Sequence, residues 1–195
     1  MFTRDWLLVL ASGVLVPTVA EPAPPPRIDV VARVYNAARV PAGITDHALG
    51  IATRLMTAGA IDVAWTNCDL PGACAIAPVA REFVIRLVRL RNTRADGALF
   101  VLGEASIDMD ARAGVLATIY VDHVERMAEL SEADTASLLG RAIAHELGHL
   151  LLATNSHSSK GLMRAYWSPR DIRGNQIVDW VLSREDVAAI RRRLQ

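Results

Sequence analysis

Residues 28–34 alternate apolar and polar positions closely enough to predict an opening strand. Between His47 and Ala58 the apolar residues Leu49, Ala52, Leu55 and Met56 recur at helical spacing, with Thr45 placed to act as N-cap. Residues 61–66 read as a second strand. Phe83, Ile85, Leu87 and Arg89 then fall on one side of an extended segment, and Val84, Arg86 and Val88 on the other, which predicts a strand of a sheet. Residues 98–105 and 115–121 are two more β-like runs, with Gly97 and Gly114 near their starts. After Val121 the period changes to that of a helix. Residues 131–135 offer caps, and residues 136–152 form a proline-free stretch that is apolar nearly all round. Such a helix belongs at the centre of a domain. A last helix opens on Ser183, Glu185 and Asp186 and closes on Arg191–Arg193, each end carrying the charge that its dipole favours. Strands mixed with one helix and followed by helices predict an α+β domain, with a twisted mixed sheet packed on the central helix.

Composition narrows this picture without redirecting it. The chain has 195 residues, enough for one domain, and residues 28–195 contain no internal repeat or second linker. Lys+Arg and Asp+Glu each number 21, so no net field draws the chain to nucleic acid or to an anionic membrane. Residues 1–20 have the pattern of a signal peptide: Arg4 in a basic start, an apolar run from Trp6 to Val16, and Ala20 as the small residue before cleavage. That run is shorter than the ~20 residues a membrane span needs, so no stable membrane insertion is expected once the signal is removed. Residues 21–27, with four prolines, read as a stiff spacer. Cys68 and Cys74 flank a Pro-Gly turn, and their even number and export pattern predict a disulfide loop in a secreted or periplasmic protein.

The chemistry is concentrated in Ala144-His145-Glu146-Leu147-Gly148-His149. Positions four apart share one helix face, so both imidazoles can reach one Zn²⁺ at ~2.0–2.1 Å. Glu146 lies ~100° round the helix from His145, where it can act as general base on a water without ligating the metal. Burying two imidazoles and a carboxylate in an apolar helix is costly unless they are partnered, and metal binding supplies the partner. Catalytic zinc keeps three protein ligands and one open position. His157, beyond the polar Thr154-Asn155-Ser156, is the first candidate for the third, with Asn155 able to take the left-handed turn that ends the helix. Asp171 and Glu185 are the alternatives. His47 and His123 lie in other elements and read as structural or surface residues.

His145-Glu-Leu-Gly-His149, followed by His157-Ser158 and then Gly161-Leu162-Met163, resembles the metzincin clan of zinc peptidases, its matrixin and archaemetzincin members in particular. The spacing is a variant. The clan has glycine three residues after the second histidine and the third ligand three further on, positions held here by Leu152 and Asn155. The resemblance implies a zincin-like fold, Zn²⁺ held by His145, His149 and His157, and Glu146 as the catalytic base. It also implies Met163 in a methionine turn beneath the metal, and a peptide or protein substrate pairing with an edge that begins at Leu102 and includes Gly103, Glu104 and Ala105. Tyr166 departs from the clan's spacing for an oxyanion tyrosine and reads as a core residue. The rival expectation is a secreted binding domain that zinc stabilises and in which Glu146 has no function.

Overall fold

The computed structural model describes residues 26–69, 72–75, 81–90, 101–174 and 176–194. The signal-peptide pattern, most of the proline-rich spacer, Gly97 and residues 98–100 lie outside them. Five strands, β1 (Ile28–Asn36), β2 (Ile61–Asn67), β3 (Glu82–Val88), β4 (Gly103–Asp108) and β5 (Ala113–Tyr120), form one sheet in the order β2-β1-β3-β5-β4. All neighbours are parallel except β4, which runs antiparallel to β5 at the edge. Helix α1 (Ala42–Ala58) makes the crossover from β1 to β2. Helices α2 (Val121–Leu130), α3 (Thr135–Leu152), α4 (Pro169–Arg173) and α5 (Arg184–Leu194) follow the sheet. The architecture is a mixed five-stranded sheet with helices.

One face of the sheet carries the core. Val30, Ala32, Phe83, Ile85, Leu87, Ala117 and Ile119 are buried there. On the other face Arg33 and Glu82 pair in adjacent strands and are buried together. Arg89 lies beyond the end of β3 and forms two hydrogen bonds with Glu125, so it is not part of the core face. Every residue of α3 from Leu138 to Leu151 is buried. An all-round apolar helix is stable only in such surroundings. Among the described residues, no helix is long and apolar enough to cross a membrane.

The helix starts differ from the sequence expectation in one place. Thr45 sits inside α1, where its hydroxyl donates back to the Pro41 carbonyl four residues earlier, and Pro41 is the N-cap. The α1 start is held from outside, by Asn36, whose side chain bonds both the N–H and the carbonyl of Val40. Asp134 caps α3 by accepting from Ser137 N–H. Ser183 and Asp186 exchange reciprocal bonds at the start of α5. Cys68 and Cys74 are disulfide-bonded, with Cα atoms 5.3 Å apart.

Helices α1 and α3 cross in contact at Gly140. A Cβ there would lie 2.5 Å from the Ala48 carbonyl oxygen and 2.8 Å from Ile51 Cβ. Gly140→Ala gains about 1 kcal/mol of helix propensity, but overpacking against backbone costs about 1–3 kcal/mol and wins. The expected outcome is a lower urea midpoint; an unchanged or raised one would show that the helices do not meet this closely.

Candidate metal centre and active-site cleft

Helix α3 delivers two imidazoles to one point. His145 Nδ1 is 2.8 Å from the Leu162 carbonyl and His149 Nδ1 is 2.8 Å from the Thr154 carbonyl. A carbonyl can only accept, so each Nδ1 carries the hydrogen and each Nε2 presents a lone pair. His149 Nε2 lies 3.1 Å from His145 Nε2 and 3.3 Å from His157 Nε2. Burial lowers the His145 pKa to about 4 and lowers that of His149, so these two rings are neutral in the form that can ligate.

The donor set fits a tetrahedral metal. Ligand nitrogens ~2.0–2.1 Å from a tetrahedral centre stand about 3.3–3.4 Å apart, close to the separations seen. Neutral rings pointing lone pairs at each other repel, and a cation between them removes the repulsion. Among the described residues these three histidines are the one group of three side chains with ligand atoms close enough to share an ion, all within 4.8 Å of one another.

The other candidate ligands are committed elsewhere. Asp171 closes a capping box with Ser168 at the start of α4 and pairs with Arg164 at 3.2 Å. Glu185 lies in the first turn of α5, where backbone and Ser183 hydrogen bonds lower its pKa. His47 is exposed on α1. His123 Nδ1 donates to the Val101 carbonyl at 2.7 Å, tying down the approach to β4.

The loop that brings His157 round is built differently from the expectation. The left-handed residue after α3 is Ala153, with φ 50°, and not Asn155. The turn therefore comes one residue after the clan's glycine position, and the path from the turn to the histidine is one residue longer. After His157 the chain folds back on itself. Ser158 N–H bonds the Met163 carbonyl at 2.8 Å, and Gly161 takes φ 75° where a Cβ would lie 2.7 Å from the Val181 carbonyl oxygen. This reversal aims the Leu162 carbonyl at His145. Met163, 1% exposed, packs against α3 at Gly148, where a Cβ would come within 2.5 Å of its sulfur.

Glu146 faces the edge strand. A Cβ on Gly103 would lie 2.8 Å from Glu146 Cγ and 3.1 Å from its Oε1, so only glycine leaves the carboxylate its place. Burial pushes the Glu146 carboxyl up to about 8, and the negative charge of Glu104 adds to the effect. A cleft of about 720 Å³ spans these groups, lined by Gly103, Glu104 and Ala105 of β4, by the three histidines and Glu146, and by Arg164–Trp167. Among the described strands β4 pairs only with β5, so its outer edge keeps free N–H and carbonyl groups.

Several residues on the cleft, Trp167 and Asn155 among them, were not assigned to it by the sequence reading. Trp167 meets His145 edge to face, ring centroids 5.4 Å apart, and Asn155 joins the lining. No local pattern marks either. Tyr166 is the correction: it is 55% exposed and lines the cleft, because the 158–164 reversal turns the next residues outward.

No protein-family model and no curated protein matches the sequence. Among solved structures, a zinc-dependent peptidase from Methanocorpusculum labreanum superposes with a TM-score of 0.52 at 12% identity, over 82% of this chain and 99% of that one. The chain shares that fold. An archaemetzincin from Methanopyrus kandleri matches with a TM-score of 0.49 at 16% identity, over 86% and 96% of the two chains.

Removing an orienting partner of a ligand typically weakens a metal site by about 10–100-fold, and loss of a ligand costs at least as much. His157→Ala should therefore raise the zinc dissociation constant by about 100-fold or more, measured by competition with a chromophoric chelator, while Glu185→Ala leaves it unchanged. Equal affinity in His157→Ala and wild type would remove His157 from the centre.

Proposed function

We propose that the chain is a zinc-dependent peptidase that hydrolyses peptide bonds in peptide or protein substrates, with His145, His149 and His157 as metal ligands and Glu146 as general base. The observation that carries it is the convergence of three Nε2 atoms beside the buried Glu146, in a cleft bordered by a free strand edge. When bound, zinc supplies a Lewis acid that polarises the scissile carbonyl and lowers the pKa of a water towards ~7.

The chain's own groups do the rest. The outer edge of β4 takes the substrate as an added strand, its main-chain groups fixing the peptide's register. Glu146, at the wall formed by Gly103, takes a proton from the water as the oxygen adds to the carbonyl carbon. The same carboxyl returns the proton to the leaving nitrogen as the C–N bond breaks. Leu162 and Thr154 hold the ligand imidazoles in one tautomer throughout, and Met163 supports the helix from below. Membership of the metzincin clan, matrixin- or archaemetzincin-like, with the longer path to the third histidine, belongs to the same proposal. So does export, supported by the signal-like residues 1–20 and the disulfide.

Glu146→Gln separates this reading from that of a zinc-stabilised binding domain. The expected outcome is full zinc content by mass spectrometry and peptide hydrolysis reduced by about 100-fold or more. A zinc-loaded variant that hydrolyses a quenched fluorescent peptide library as fast as wild type would overturn the assigned base.

A further inference from the structure

Resting on the peptidase reading, the cleft also carries a charge that the hydrolytic chemistry does not use. Gly103 and Glu104 are consecutive on an edge strand, so their side-chain positions face opposite ways. The Gly103 position points at Glu146 on the α3 side. Glu104 therefore projects on the other face, exposed at the rim of the cleft that it helps to line. It stands opposite Thr118 of β5, on the face that also carries Tyr120, two residues on.

None of the ion pairs seen among the described residues includes this carboxylate. The ion pairs among them are Arg27–Asp62, Arg33–Glu82, Arg89–Glu125, Arg126–Glu129 and Arg164–Asp171. Arg164, the arginine on the cleft, is thus bound to Asp171. Arg86, on the Glu104 face two strands away, is turned to Thr118 at 3.4 Å.

A substrate strand added to the free edge of β4 places one residue beside Glu104, with its side chain on the same face as Glu104. We propose that Glu104 sets the charge preference of the cleft by holding a cationic group of the substrate, either a lysine or arginine side chain opposite it or a free terminal amine. A cross-strand pair of opposite charges at a partly exposed position supports a preference of about 5-fold.

The test uses the zinc-loaded full chain and quenched fluorescent peptides that differ only in lysine, norleucine or glutamate at one scanned position. Each is made with a free and with an acetylated N-terminus. Wild type should show a kcat/KM ratio of about 5, either of lysine to norleucine at one position or of free to acetylated N-terminus. That ratio should fall to about 1 in Glu104→Gln, and in Glu104→Lys it should invert. A lysine preference that survives acetylation assigns the side chain as the cationic group; a loss of rate on acetylation with no lysine preference assigns the terminal amine. Both ratios near 1 in wild type, or a preference unchanged in both variants, overturn the role of Glu104 and leave the peptidase reading standing. Cleavage of no peptide by wild type overturns both.

Discussion

The pair of hydrogen bonds from His145 and His149 to the Leu162 and Thr154 carbonyls constrains much of what surrounds them. Each bond fixes a tautomer and a ring plane, and together they turn two lone pairs towards one point on the face of a buried helix. Both acceptors are main-chain atoms, so the site depends on the path of the backbone after α3 rather than on particular side chains. That path is costly to arrange. Ala153 occupies the left-handed region, which costs a residue with a Cβ about 1–2 kcal/mol. Gly161 takes a positive φ against the Val181 carbonyl, and Met163 needs the bare backbone of Gly148 to lie where it does. These features sit within the ten residues on either side of His157, and each helps to hold the chain close to the helix.

Features governed by local periodicity were legible in the sequence. The alternation around Phe83, Ile85 and Leu87 gave a strand with its correct inner face, and the apolar run through Leu147 gave the buried helix. Serine and acidic residues at the start of α5 announced its cap. Features that depend on distant partners were not legible. Thr45 resembles an N-cap by type, yet Asn36 fixes Val40 and lets the helix begin earlier, at Ala42. The strand order, with β1 between β2 and β3, follows from a crossover that no periodicity records.

The candidate site divides the same way. His145, Glu146 and His149 share a helix face, and helical geometry alone relates them. The distance from Ala153 to His157 is a property of a loop, and asparagine's taste for left-handed backbone pointed to the wrong residue there. Tyr166 failed for a related reason. Met163, three residues before it, is buried, but the reversal at Gly161 sends residue 166 to the rim, and composition carries no sign of that turn.

Edge position ties the two halves of the cleft together. A strand in the interior of the sheet would offer no free main-chain groups to a peptide, and a helix in its place would hold Glu146 at a distance. Because β4 is both antiparallel and outermost, its first residue can press on α3 while its outer side stays open. The absent side chain at Gly103 lets Glu146 lie against the strand that is proposed to bind the substrate, so one contact would set both the proposed base and the proposed register. Strand alternation then gives the following residue to the opposite face. The proposed chemistry and the proposed charge selection thus fall to adjacent positions, and neither can shift along the strand by one residue without exchanging faces with the other.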